Sequence, residues 1–295
     1  MSSKNRNMTA ILLAGWFSVF ATSAFAQSSQ SGQGGQSGQQ PNPPNKEQKP
    51  AESGSTLEIP SSKPPVNAEE EAAAKAFQAM PNTDLPKKIE AGEQFLRKYP
   101  DSQYRPVIYS ALTFEYIQSG KVDKALEIGD KEVALKPDDV QTMAILSQTI
   151  PRAMNSSTPE PEKQLAKAET YGKRAIEITP TISKPEGLPD QNFVAAKNVT
   201  LAMAHSGLGL VYFRRGKFND AIPELEQSVK IDPNPTPDPV NLYLLGMANQ
   251  KASHYDEAAN AFNKCAAIAS SLQNACKNGA EEAKKQGSTQ LSAPK

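Results

Sequence analysis

One tryptophan, two cysteines and two histidines are all that 295 residues contain of those types. Each shortage removes a class of chemistry. The cysteines are not spaced as C-x-x-C and no histidine lies close to either, so neither a zinc site nor a redox pair is indicated. There is no G-x-S-x-G turn, phosphate-binding loop, H-E-x-x-H or dinucleotide fingerprint. No catalytic residue, cofactor or metal is therefore expected. Charge of one sign is also lacking, with 32 lysines and arginines against 32 aspartates and glutamates, and no basic stripe carries aromatics between its charges. Nucleic acid is not an expected partner.

The one marked apolar run, Ile11 to Phe20, is short for a membrane span. Lys4 and Arg6 precede it and Ala24-Phe25-Ala26 follows it, the order of a secretory signal cleaved before Gln27. Residues 1–26 are thus expected to be removed, leaving an exported chain, periplasmic or secreted, with no stable membrane insertion. Trp16 leaves with them, so the mature chain would have no tryptophan. Residues 27–67 are rich in Gln, Ser and Gly and then in Pro. Too few apolar side chains occur there to offset the entropy of ordering, which predicts a disordered linker.

Beyond it the periodicity becomes helical. The strongest stretch reads His205-Ser206-Gly207-Leu208-Gly209-Leu210-Val211-Tyr212, followed by Gly216, Phe218, Ala221, Leu225 and Pro233. Leu208 with Val211 and Tyr212 share one helix face. Gly216 can adopt the left-handed turn that ends a helix, Asn219 or Asp220 can start the next, and Pro233 stops it. Gly209 and Ala221 are small where two antiparallel helices must approach. A second copy follows in Leu242, Leu245, Gly246, Tyr255, Ala258 and Phe262, with Gly246 lying 37 positions after Gly209. The five residues Pro233 to Pro237 account for the excess over a period of about 34.

These residues resemble the tetratricopeptide repeat (TPR), W-x2-L-G-x2-Y then A-x3-F then P. His205 stands for the tryptophan, Asn249 for the second copy's tyrosine and Ser270 for its closing proline. Tyr109, Leu112, Tyr116, Gly120, Ala125 and Pro137 resemble a further copy. Phe95 to Ser102 is similar to the inter-repeat segment of envelope TPR proteins. The resemblance implies an all-α, right-handed helical solenoid. Hairpins are expected at about 68–100, 106–137, 140–180, 190–233 and 239–269, with a cap over 271–286 and a frayed tail over 287–295. In the third hairpin, the first helix is expected to stop at Ile150 because Pro151 opens an inserted loop. Gly287 is expected to end the cap.

By the same resemblance, first helices line a groove for a peptide or partner helix. The matching positions include Ser110, Phe114 and Ile117, then Met203, Ser206, Phe213 and Arg214, then Tyr243, Met247, Gln250 and Lys251. The Lys/Asn set with which some TPR adaptors clamp a terminal carboxylate is missing, Ser206 and Leu210 taking two of its places. Any of these side chains can instead belong to the core. His205 is expected to be a satisfied interface histidine and His254 an exposed turn residue. Cys265 and Cys276 would be about 16 Å apart on one unbroken helix, too far for a bridge. If the chain reverses near Ser270-Ser271 they face each other, so both a disulfide and two buried thiols remain open. The expected function is non-catalytic protein–protein scaffolding in the cell envelope. The alternatives are an obligate subunit of an envelope assembly complex, or an unrecognised hydrolase.

Overall fold

A computed structural model describes residues 67–292. The expected signal peptide and all but the last residue of the expected linker lie outside the described residues. Helices joined by short loops make up those described, and no strand occurs among them. Five antiparallel hairpins follow one another: α1 (Ala68–Ala79) with α2 (Leu85–Lys98), α3 (Arg105–Gln118) with α4 (Val122–Leu135), α5 (Val140–Ala153) with α6 (Pro161–Ile178), α7 (Asp190–Arg214) with α8 (Phe218–Ile231), and α9 (Pro239–Lys251) with α10 (Tyr255–Ala266). A last helix, α11 (Gln273–Ser292), lies against α10. Each hairpin packs on its neighbours in order, which makes the chain a solenoid of two-helix units.

Local chemistry sets the helix ends. Asn67, Asp84, Asp139 and Asp238 cap α1, α2, α5 and α9 by accepting backbone N–H groups. Prolines occupy the first turns of α2, α3, α6 and α9, where no N–H is needed. Gly120 and Gly216 take φ of 73° and 72° after α3 and α7. The next residue then folds back, Lys121 N donating to Tyr116 O at 2.8 Å and Lys217 N to Tyr212 O at 2.9 Å. After α9 the same turn is made by Ser253, at φ 65°, with His254 N donating to Asn249 O at 2.8 Å.

Three expectations about helix ends need correction. First, α5 does not stop at Ile150 but runs through Pro151 to Ala153. Pro151 sits in its last turn, where the missing N–H forfeits one bond and the helix has nowhere further to go. Second, α11 does not stop at Gly287. It begins at Gln273 and continues to Ser292. Gly287 lies where a Cβ would be 3.3 Å from the Cβ of Tyr255, so its small size serves helix packing. Third, α8 starts at Phe218, earlier than Asn219 or Asp220, and no side chain caps it.

The core is the seam between hairpins. Phe77, Ile89, Phe95, Ile108, Leu112 and Tyr116 fill the first part, Val140, Met143, Ala144, Ala175 and Ala204 the middle, and Ala258, Phe262, Ala280 and Ala283 the end. Small residues allow the closest crossings. A Cβ on Gly209 would lie 2.6 Å from Leu225 Cγ, and one on Gly246 would lie 2.6 Å from Phe262. The tightest crossing joins α5 and α7, where a Cβ on Gly207 would lie 2.6 Å from the backbone carbon of Ser147.

Candidate functional site

On one side of the solenoid, tyrosines stitch repeats together. Tyr116 OH donates to Glu93 of α2, Tyr171 OH to Asp130 of α4 at 3.0 Å, and Tyr212 OH to Glu169 of α6 at 3.4 Å. Cations complete each stitch: Lys124 on Glu93, Lys167 on Asp130, and Lys173 with Arg215 on Glu169. Burial pushes the Glu169 carboxyl up, but hydrogen bonds from Lys173 and Arg215 outweigh it and hold the group at about 2. Tyr116 is raised, by burial first and then by its bond to the Glu93 carboxylate. The last interface lacks this device. Asn249 replaces the tyrosine and turns its amide back to Leu245 O at 3.0 Å.

The positions expected to line a groove lie on the first helices of the hairpins. Here a side chain of α5 reaches the start of α9 past α7. Arg152 Nη2 donates to Asp238 Oδ2 at 2.9 Å, to Asn241 Oδ1 at 3.3 Å and to Ser206 Oγ at 3.4 Å. Gln148 Nε2 donates to Ser206 Oγ at 3.0 Å, and Ser206 Oγ to Asn241 Oδ1 at 2.6 Å. Asn241 Nδ2 then donates to Ser228 Oγ at 3.1 Å, and Ser228 to Ala202 O at 2.8 Å. This chain of bonds sews the third, fourth and fifth hairpins together from within.

The sequence-derived groove residues divide against that frame. Ser110 and Ser206 are sealed, 2% and 1% exposed. Ser110 shares a hydrogen bond with Thr142 of α5 at 3.2 Å, and Ser206 sits inside the network just described. Neither meets a ligand unless helices part. Ile117 and Met203 are half-buried against the core, and Phe114 is half-buried too. Phe213 packs edge-on to Phe218, and Tyr243 is tilted on Phe262 with Met247 beside it. Gln250 ties α9 to the cap, its Nε2 donating to Gln286 Oε1 of α11 at 3.0 Å. Arg214 and Lys251 are exposed. Arg214 donates to Met154 O at 2.9 Å.

Sequence reasoning missed Gln148 and Arg152, because Pro151 reads as an interruption of the third hairpin. The register holds the signal that finds Arg152. Arg152, Arg214 and Lys251 each stand five residues after a small residue, Ser147, Gly209 and Gly246, that faces its own second helix. His205 is paired as an interface histidine, its Nδ1 2.7 Å from Glu224 Oε2 of α8. His254 is exposed ahead of α10. Cys265 and Cys276 are joined as a disulfide between α10 and α11, with Cα atoms 5.8 Å apart and both side chains fully buried.

Residues 202–235, which span the C-terminal half of α7 and all of α8, match the family model described as tetratricopeptide repeat. The chain carries a TPR. Around that TPR the other hairpins repeat the same two-helix unit, and Gly246 makes the same close crossing in the fifth. No curated protein matches the sequence. Among solved structures the chain is similar to MamA RS-1, an ArsTM double mutant, with 16% identity over 68% of this chain and 93% of that one, at a TM-score of 0.48. It is also similar to a thermophilic TPR protein of Thermus thermophilus, with 19% identity over 75% of this chain and 98% of that one, at 0.44. A TPR protein from Parabacteroides merdae shares 14% identity over 73% of this chain and 98% of that one, at 0.28. None of the described helices is long and apolar enough to cross a membrane.

Proposed function

We propose that this TPR protein is an exported, non-catalytic scaffold of the cell envelope that holds a peptide or partner segment against the inner faces of α3, α5, α7 and α9. The observation that carries the reading is the side-chain content of that inner surface. Half-buried Phe213, Tyr243 and Met247 offer apolar contact, and exposed Arg214 and Lys251 flank them. Such a mixture of apolar anchors and a polar rim suits a polypeptide. Export is supported by the leader pattern of residues 1–26 and by the buried disulfide, a bond kept in oxidising compartments.

An adaptor fits better than an obligate subunit of an assembly. Among the described residues the large exposed apolar side chains are Leu135 and Val194, on α4 and α7, which is far less than a permanent interface leaves uncovered. The test places a photo-crosslinking residue at Met247 or Lys251 on the inner side and at Lys264 on α10 as a control. The inner positions should trap one polypeptide in the native envelope and the control should not. Equal trapping at all three, or a mature chain that aggregates whenever purified alone, would defeat the adaptor reading.

A further inference from the structure

We propose that the inner face across α5, α7 and α9 takes an acidic polypeptide segment, one of whose carboxylates replaces Asp238 on Arg152; this rests on the groove reading above and specifies the partner's charge. At equivalent register that face carries Arg152, Arg214 and Lys251. Among the inner positions named for α3, α5, α7 and α9, no carboxylate occurs. Asp238 reaches the face from the foot of the proline-rich loop 233–237 and pairs with Arg152 there. A chain of zero net charge thus sets three cations at equivalent register, with Asp238 laid on one of them.

Attraction to its own helix end does not explain Arg152. Its side chain crosses α7 to reach the start of α9, and the bonds it makes there run through Nη2. The side chain remains 33% exposed, so a forked acceptor can approach the guanidinium from the groove. Asp238 can let go without cost to its helix. Its Oδ2 holds Arg152, while its Oδ1 caps α9 by accepting Val240 N at 2.9 Å. The interface that would yield is also the one without a tyrosine stitch, since Asn249 turns inward. The bound state therefore exchanges an intramolecular carboxylate for an intermolecular one.

The test uses the mature protein with its disulfide intact and a short acetylated peptide alternating Glu and Leu, with the Gln/Leu peptide as control. Binding is followed by calorimetry at low and high salt, and each variant is checked for native helicity by circular dichroism. The acidic peptide should bind about tenfold or more tightly than its control, a margin that shrinks with salt. Arg152→Gln should remove most of that margin. Asp238→Asn retains the cap, because asparagine caps as well as aspartate, and it removes the competing charge, so the acidic peptide should bind more tightly still. A bridge that is only a strut predicts no gain from Asp238→Asn. Equal binding of both peptides, a margin that survives Arg152→Gln, or weaker binding to the Asp238→Asn protein would each overturn the proposal. If both peptides bind equally and Met247→Asp abolishes both, the acidic specificity falls and the groove stands. Binding of neither peptide also sinks the acidic partner, and the crosslinking outcome then decides the groove alone.

Discussion

Replacing Glu132 with glutamine should stabilise the protein, by an amount that grows with pH. Glu132 lies on the buried face of α4, 0% exposed, and neither of its carboxylate oxygens has a hydrogen-bond partner among the described residues. Its neighbour is Asp139, itself buried and committed to capping α5 through Thr142 N at 2.9 Å. Two carboxyls can bond each other only if one keeps its proton, and Asp139 already accepts from Thr142 N. Burial, and then the Asp139 charge, push Glu132 from 4.5 up to about 9. In the unfolded chain the group ionises near 4.5, so between 4.5 and 9 the folded state alone retains the proton. Its stabilising share is complete below about 4.5 and is lost steadily as pH rises towards 9. At pH 7 the accumulated loss is about 3 kcal/mol at one pKa unit per 1.36 kcal/mol. Glutamine has the same shape, can donate to Asp139 and never ionises. Urea denaturation followed by circular dichroism, at pH 5, 7 and 9, reads the difference directly. The Glu132→Gln advantage should be about 1 kcal/mol at pH 5, about 3 at pH 7 and larger at pH 9. An advantage that does not vary with pH, or a variant less stable than the parent at pH 7, would refute the buried neutral acid.

Other perturbations read other parts of the fold. Gly207→Ala should cost more than Gly209→Ala, because the added methyl meets Ser147 backbone in the first case and mainly the Leu225 side chain in the second. Overpacking of this kind costs about 1–3 kcal/mol, and equal melting temperatures for the two variants would contradict the crossing geometry. Changing Cys265 and Cys276 together to serine should lose about 3 kcal/mol, the loop-closure value for a bridge of this span. Alkylation of the unreduced, denatured parent should label no cysteine; two labels would show that the bridge is not made in the cell. Ser253→Gly should gain about 1 kcal/mol by relieving a left-handed turn at a non-glycine residue, visible as a rise in melting temperature. The intact mass of the exported form should begin at Gln27, and its emission should show tyrosine alone; a mass retaining Met1 would defeat the leader.

The periodic features were open to reading from residues because each follows from a local constraint. Gly209, Ala221 and Leu225 mark a helical crossing whatever the tertiary context, and Gly120 and Gly216 mark turns that L-residues resist. What failed was punctuation whose meaning depends on neighbours. Pro151 reads as a stop in isolation, yet near a C-terminus it costs little. Gly287 reads as a cap, yet it is small for the sake of Tyr255. The inner face was harder. Ser110 and Ser206 fall at groove register, but a serine is short enough to be swallowed between first helices, Ser110 against Thr142 and Ser206 beneath Gln148 and Arg152. The bridge itself joins Arg152 to Asp238, 86 residues away, a pairing that no local periodicity encodes.

That long reach alters how the stack should come apart. In an array where each unit touches only the adjacent ones, unfolding creeps inward from either end and each unit melts on its own terms. Arg152 couples units that are not adjacent, so the last three should surrender together, while α1 to α4 retain the freedom to open separately. Amide exchange would then show one shared opening energy from α5 to α10 and a graded profile before it. A surface that must keep its shape until a partner arrives gains from being the part that cannot loosen piecemeal.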